Sequence, residues 1–272
     1  MRLGIAYPNI GEWVDPVFAG KVAVEAEKLG YEVFMTYDHY MLPGSNKTFE
    51  AWIFLTYIAS ITGRIKVGTV VTPIPFRPPA MLAKMVATLD YISGGRVIVG
   101  VGAGWHQPEF EAFSKWSPLK ERVDRTLEGI KLMIDLWTRD VVDFKGKFYV
   151  AKGAVVDPKP IQKPYPPLWF GTTGKRMLRL TAKYGDGWIP VGINVEEYSK
   201  YRDYIEEYRR KYSTIGKKFT YSIMFRGKAD PNEDIDRVKE FKKAGLQLLV
   251  LDLHPIGIKN ALAYIRKAVE VF

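Results

Sequence analysis

The 272-residue sequence predicts an α/β fold, a single (β/α)8 TIM barrel spanning residues 1–272. Three observations predict it. Strand-like and helix-like segments alternate eight times, with no shift in composition that would mark a second domain. The strand segments read as continuous Val/Ile/Leu runs, the pattern of parallel strands buried on both faces. A chain of 272 residues, 47% hydrophobic, is also an ordinary size for one such barrel.

Taken in order, "RLGIAYP" (2–8) is the first strand, and the amphipathic run from Pro16 to Leu29, stopped at Gly30, is its helix. "YEVFMTYDHY" (31–40) is the second strand, with a helix from about Glu50 to Ile61. "IKVGTVVTP" (65–73) is the third, followed by a helix over Pro78–Ile92 that "SGG" ends. "RVIVGVGAG" (96–104) is the fourth, with the long helix Leu119–Trp137. Residues 140–167 then break the rhythm. Lys145-Gly146 marks a hairpin and the clustered prolines exclude a helix interior, so this stretch is an excursion between strands four and five. "LWFGTT" (168–173) resumes the pattern with a helix from Lys175, and "DGWIPV" (186–191) with a helix from about Glu196 to Tyr212. "FTYSIMFRG" (219–227) precedes a helix over Glu233–Lys243, and "LQLLVLDL" (246–253) precedes the closing helix Lys259–Val271.

In such a barrel the chemistry sits where strands end and loops begin. That directs attention to Tyr7 and Asn9, Asp38 and His39, Thr72 and Pro73, Gly102–His106, Thr172–Arg176, Pro190, Arg226, and Asp252 with His254.

The bulk numbers narrow the function classes. Net charge is +10, which admits nucleic acid, an acidic ligand or a basic solvated surface. No basic tail, zinc-finger spacing or RNP-like strand supports nucleic acid, so none is expected as a partner. The absence of cysteine excludes disulfides, thiolate metal sites and a cysteine nucleophile. The opening "MRLGIAYPNIGEW" lacks the apolar stretch of a secretion signal and no run reaches membrane-spanning length, so we expect a cytoplasmic protein with no membrane partner.

"RVIVGVGAGWHQPEF" (96–110) raises a specific question. Gly100, Gly102 and Gly104 give G-x-G-x-G, not the G-x-G-x-x-G of a dinucleotide turn, and no acidic strand end follows about 20 residues later. Either these glycines fill a crowded barrel interior, or they let a flat ring system approach the backbone. "GTTGKRMLRL" (171–180) places Thr172, Thr173 and Gly174 at a strand-to-helix junction, with Lys175 and Arg176 in the first turn. Cations there oppose the helix dipole, which favours an anion-binding role over plain capping. The three histidines, His39, His106 and His254, show no metal-binding spacing, and we expect no metal. His39 reads either as a rim histidine or as a proton donor beside a cofactor.

Together these stretches resemble the luciferase-like flavin and deazaflavin oxidoreductases, the (β/α)8 group related to bacterial luciferase. The resemblance is densest over 67–110, and "DFKGKFY", "PKPIQKPYPPLWFGTTG" and "AKYGDGWIP" follow in the family's order. It implies a ring cofactor over the strand C-termini, with a bulge or non-prolyl cis peptide in the region of Thr69, Val70 and Val71. It also implies a phosphate site at Thr173, Gly174 and Lys175, with Thr172 and Arg176 beside it among the cofactor contacts. Asp38 and His39 match the pair that deazaflavin relatives place at the reacting face, and Gly102, Gly104, Trp105 and His106 complete the expected cofactor contacts. His39 is the expected catalytic residue. Where sugar-phosphate dehydrogenases of the family carry an acid, this chain has Trp105, so their proton donor is not transferred and their substrate becomes doubtful.

The resemblance favours coenzyme F420, whose polyglutamate tail suits a basic mouth, with FMN as the alternative. The first implies hydride transfer to or from a small-molecule substrate, the second a reduced-flavin monooxygenase. A non-catalytic flavin-binding protein is the alternative of another class. A wall of Trp105, Phe76 and Trp13 facing the pocket would favour an apolar or planar substrate. A homodimer is the expected assembly.

Overall fold

The computed structural model describes residues 1–272, and its parallel sheet closes on itself. The staves are β1 (Arg2–Tyr7), β2 (Val33–Thr36), β3 (Lys66–Thr69) continued by β4 (Thr72–Pro73), β5 (Val97–Gly102), β8 (Leu168–Phe170), β9 (Gly187–Trp188), β10 (Thr220–Phe225) and β11 (Leu248–Asp252). Each pairs in parallel with its neighbours; β1 lies between β2 and β11, and the β3–β5 pairing, Val67 against Val97, closes the ring. β3 and β4 are halves of one predicted strand. They are separated at Val70–Val71, a cis non-prolyl peptide, which places that expected feature on a named bond.

Two apolar layers hold the barrel. Inside it, Ala6, Val33, Met35, Ile98, Trp169, Ile189, Met224, Leu248 and Val250 form a closed plug. The intervening residues, such as Ile5, Tyr7, Phe34, Val97 and Val99, point outward into a larger core beneath the helices. This period of two is the strand geometry acting on sequences that are apolar at every position.

The outer ring comprises α1 (Pro16–Lys28), α2 (Ala51–Ile61), α3 (Pro79–Ser93), α5 (Leu119–Thr138), α6 (Lys175–Tyr184), α7 (Val195–Lys211), α8 (Ile235–Lys243) and α9 (Ala261–Val271). Local chemistry sets several of their starts and stops. Asp15 accepts the Phe18 N–H, Glu50 accepts that of Ile53, and Asn194 with Glu197 forms a reciprocal capping box on α7. Gly94 ends α3 at φ 71°, a conformation that glycine adopts without a Cβ penalty.

Two expectations need correction. A helix, α4 (Gln107–Phe113), is the next element after β5, where the sequence reading assigned no element between Gly104 and Leu119. β2 also stops early, at Thr36 rather than Tyr40, and the backbone N–H groups of Tyr40 and Met41 bond the Glu109 carboxylate instead of a neighbouring strand. In the 140–167 excursion, β6 (Val142–Lys145) and β7 (Val150–Ala154) form the antiparallel hairpin. Gln162 ties the proline-rich return to the barrel by bonding Asp90 and the Val97 carbonyl, at 2.7 and 2.8 Å.

Candidate active site at the barrel mouth

Strand periodicity decides which side chains reach the mouth. Val33 and Met35 of β2 face the barrel interior, and continuing that alternation brings Tyr37 and His39 to its C-terminal opening. The same rule carries Met224 to Arg226 after β10, and Leu248 and Val250 to Asp252 at the end of β11. A cavity of about 900 Å³ opens there.

Eleven of the fourteen residues expected at a cofactor line it: His39, Val70, Val71, Gly102, Gly104, Trp105, Thr172, Thr173, Gly174, Lys175 and Arg176. Asp38, Thr69 and His106 do not. Asp38 lies on the other face of the β2 extension, fully buried, where Arg77 grips it through two 2.8 Å bonds and Thr72 donates to it at 2.6 Å. Thr69 is buried and shares a hydrogen bond with Thr72. Asp38 therefore holds the ends of strands two and three together from behind. Burial alone would lower the pKa of Arg77, but the adjacent Asp38 carboxylate raises it above its ordinary value. His106 is buried beside Trp105, with its Nδ1 at 3.7 Å from Glu109.

The expected aromatic wall is not formed. Trp13 packs edge-on to Tyr7 and Phe76 packs on Tyr40 and Phe110, with Trp13 and Phe76 both buried, so Trp105 alone of the three faces the cavity.

Glu109, in the first turn of α4, is the residue the sequence reading missed. Its carboxylate is fully buried and accepts His39 Nδ1 at 2.8 Å, together with the backbone N–H groups of Tyr40 and Met41. Burial pushes the carboxyl up, but these hydrogen bonds, that from His39 foremost, outweigh it and hold the group below its ordinary range. An ionised carboxylate only accepts, so Nδ1 carries the proton and Nε2 is the nitrogen left for a ligand. Pro108 at a helix start, one residue before Glu109, was the available sequence signal.

At the other end of the cavity, α6 begins at Gly174 with no side-chain cap, and the N–H groups of Lys175, Arg176 and Met177 bond to no protein group. A Cβ built on Gly174 meets nothing within 4 Å. Arg176 is partnered by Asp124, whereas Lys120 and Lys175 line the cavity without a partner.

A model of the luciferase-like monooxygenase family matches residues 10–244, most of the chain. The chain belongs to that family.

Two relatives show the range of chemistry among luciferase-like proteins. The chain is 30% identical over 178 residues to an FMNH(2)-dependent dimethylsulfone monooxygenase of Pseudomonas putida, covering 65% of this chain and 49% of that protein. It is 34% identical over 203 residues to an F420-dependent glucose-6-phosphate dehydrogenase of Amycolatopsis mediterranei (strain U-32), covering 72% of this chain and 60% of the relative. The aligned stretch thus spans about half to three fifths of each relative's length. An F420-dependent secondary alcohol dehydrogenase, solved with an F420-acetone adduct, shares the fold with a TM-score of 0.87 at 22% identity over 100% of this chain and 98% of its own.

The luciferase-like fold also answers the glycine question. A Cβ on Gly100 would lie 1.9 Å from the Thr69 carbonyl oxygen, one on Gly102 would lie 2.7 Å from Val71, and Gly104 sits at φ 81° against Phe110. Gly100 is required by the packing of the barrel itself and Gly104 by its left-handed backbone, while Gly102 and Gly104 border the cavity as well. No helix is long and apolar enough to cross a membrane, and no three His, Asp or Glu side chains gather as a metal site.

Proposed function

We propose that this luciferase-like chain binds coenzyme F420 at the barrel mouth and catalyses hydride transfer between it and a small organic substrate. The observation that carries the reading is the lining of the cavity. It joins the free Nε2 of His39 to an uncapped helix N-terminus, and its charged side chains are Lys120, Lys175, Arg176 and Arg226, with no carboxylate among them.

The donor set fits a phosphate-bearing ring cofactor with an acidic tail. The N–H groups of Lys175, Arg176 and Met177 would hold the phosphate, and the missing Cβ of Gly174 leaves room for its approach. Lys120 and Lys175 would face the tail, while Val70, Val71, Gly102 and Gly104 would border the ring. When bound, a deazaflavin supplies a two-electron hydride donor or acceptor. His39 supplies the proton exchange: Glu109 fixes Nδ1–H, and Nε2 takes a proton from substrate or returns one. Leu42, Val71, Pro73, Trp105 and Met224 exclude water from an apolar or planar substrate body.

Fluorescence titration with F420 and FMN tests the assignment. F420 is expected to bind more tightly, and its advantage to shrink with salt because exposed charges on the tail are screened. Equal or reversed affinities would remove the deazaflavin assignment. The sulfone monooxygenase relative favours the second reading, an FMN-dependent monooxygenase, which reversed affinities would support. Binding without turnover of any acceptor would indicate a flavin-binding protein. The homodimer is tested by sedimentation.

A further inference from the structure

Arg226 stands apart from the cations around α6. It follows β10, two staves from β8, which leads into α6; at about 4.8 Å per stave that is about 10 Å around the rim. His39 lies three staves away in the other direction, past β11 and β1. The positive lining of the cavity therefore has two poles, and a single phosphate at the α6 terminus engages only one.

The Arg226 side chain is anchored rather than loose. Its Nε donates at 3.1 Å to Asp252, a carboxylate with no solvent exposure. The other Asp252 oxygen receives the Tyr37 hydroxyl and the His254 N–H, while Arg237 bonds the Arg226 carbonyl at 2.6 Å. Serving as counter-ion to Asp252 uses only the Nε–H. Both terminal nitrogens, with four N–H bonds, have no protein partner, and the side chain lines the cavity 62% exposed. Tyr37, whose hydroxyl proton is held on Asp252, lines the same wall; burial first and the Asp252 charge second raise its pKa well above the ordinary phenol value. The wall thus offers a fixed guanidinium fork beside apolar Met224 and Val191, the arrangement that pairs with a planar carboxylate in two parallel hydrogen bonds.

We infer that Arg226, held by Asp252, is a carboxylate-binding residue of this cavity, and that the substrate is an organic acid with an apolar or planar body. The inference rests on the cavity assignment made above. The same chemistry has two possible sources, a carboxylate on the substrate and one on the F420 tail, and the test separates them.

Benzoate and the near-isosteric neutral benzamide are titrated by calorimetry into protein loaded with F420 and, separately, with FMN. Benzoate is expected to bind at least about tenfold more tightly, as a charge-assisted bidentate contact implies. Arg226→Gln, which retains an N–H for Asp252 but not the charge, should bring the two ligands to within about twofold in a variant that stays folded at a lowered Tm. Arg226→Lys, which keeps the charge without the fork, should retain only part of the preference and serves if the glutamine variant fails to fold. If Arg226→Gln instead weakens F420 but not FMN, and wild type shows no benzoate preference, the carboxylate belongs to the cofactor tail and the substrate assignment is overturned. A benzoate preference that survives Arg226→Gln, or no preference together with unchanged F420 affinity, overturns the inference altogether. Benzoate selectivity seen in FMN-loaded protein that does not bind F420 would retire the cofactor reading and leave this one standing.

Discussion

Glu109 holds His39 through a 2.8 Å hydrogen bond between residues 70 positions apart in the chain. The carboxylate comes from the first turn of α4 and the imidazole from the end of the second stave. Because Glu109 is fully buried and also anchors two backbone N–H groups of the segment after His39, it fixes both the ring and the loop that carries it.

A His39→Asn variant separates chemistry from binding. Asparagine retains hydrogen-bonding capacity but cannot exchange a proton near neutral pH. Single-turnover hydride transfer is expected to fall by ~10²–10⁴-fold, while cofactor affinity changes little. Weaker cofactor binding with near-normal transfer at saturation would make His39 a prop for the ring rather than a catalytic residue.

Glu109 makes stability depend on pH in a defined direction. Its folded-state pKa lies below the ordinary carboxylate value, so the ionised group favours the folded state. That contribution is fully present above the unfolded value of about 4.3 and is lost as pH falls through the depressed folded value. Glu109→Gln should remove this acid limb. It should also lower stability at neutral pH by about 1–3 kcal/mol, because one amide oxygen cannot replace two carboxylate oxygens serving three donors. Urea unfolding from pH 7 down to 3 measures both effects. Identical profiles for the two proteins would show that the pair is not formed.

Gly174→Val tests the phosphate site with little risk to the fold. Gly174 has φ −73°, which any residue adopts, and its added Cβ meets only open space. Thermal stability should stay near that of the parent, while cofactor affinity drops about tenfold or more through a lost charge-assisted hydrogen bond. Normal binding by a folded variant would place the phosphate elsewhere.

Gly100→Ala probes the barrel interior instead. Its methyl group would overlap the Thr69 carbonyl oxygen, a backbone atom that no rotamer change can move. The expected loss is at least about 1–3 kcal/mol in denaturant unfolding. An unchanged midpoint would mean that the staves tolerate separation and that the glycine is not needed for packing.

Eight alternating units, continuous apolar runs and well-marked helix ends made the barrel and the α6 junction legible in the sequence. Their causes are local: hydrophobic periodicity, capping side chains and glycine or proline at chain reversals. The same periodicity could have separated His39 from Asp38, since counting by two from Val33 and Met35 reaches Tyr37 and His39 but skips Asp38. A motif match treats adjacent residues as one unit, whereas a strand sends them to opposite faces.

The one-dimensional order thus determined the eight-stave barrel, the end of it at which the cavity opens and the helix terminus at Gly174. Only the tertiary structure decided that Glu109 grips His39, that Arg77 sequesters Asp38, that Trp13 and Phe76 belong to the core, and that Asp252 anchors Arg226. Each of these relations joins distant segments through side-chain reach and burial. Such pairings follow from how the staves close into a ring, which no local pattern along the chain encodes.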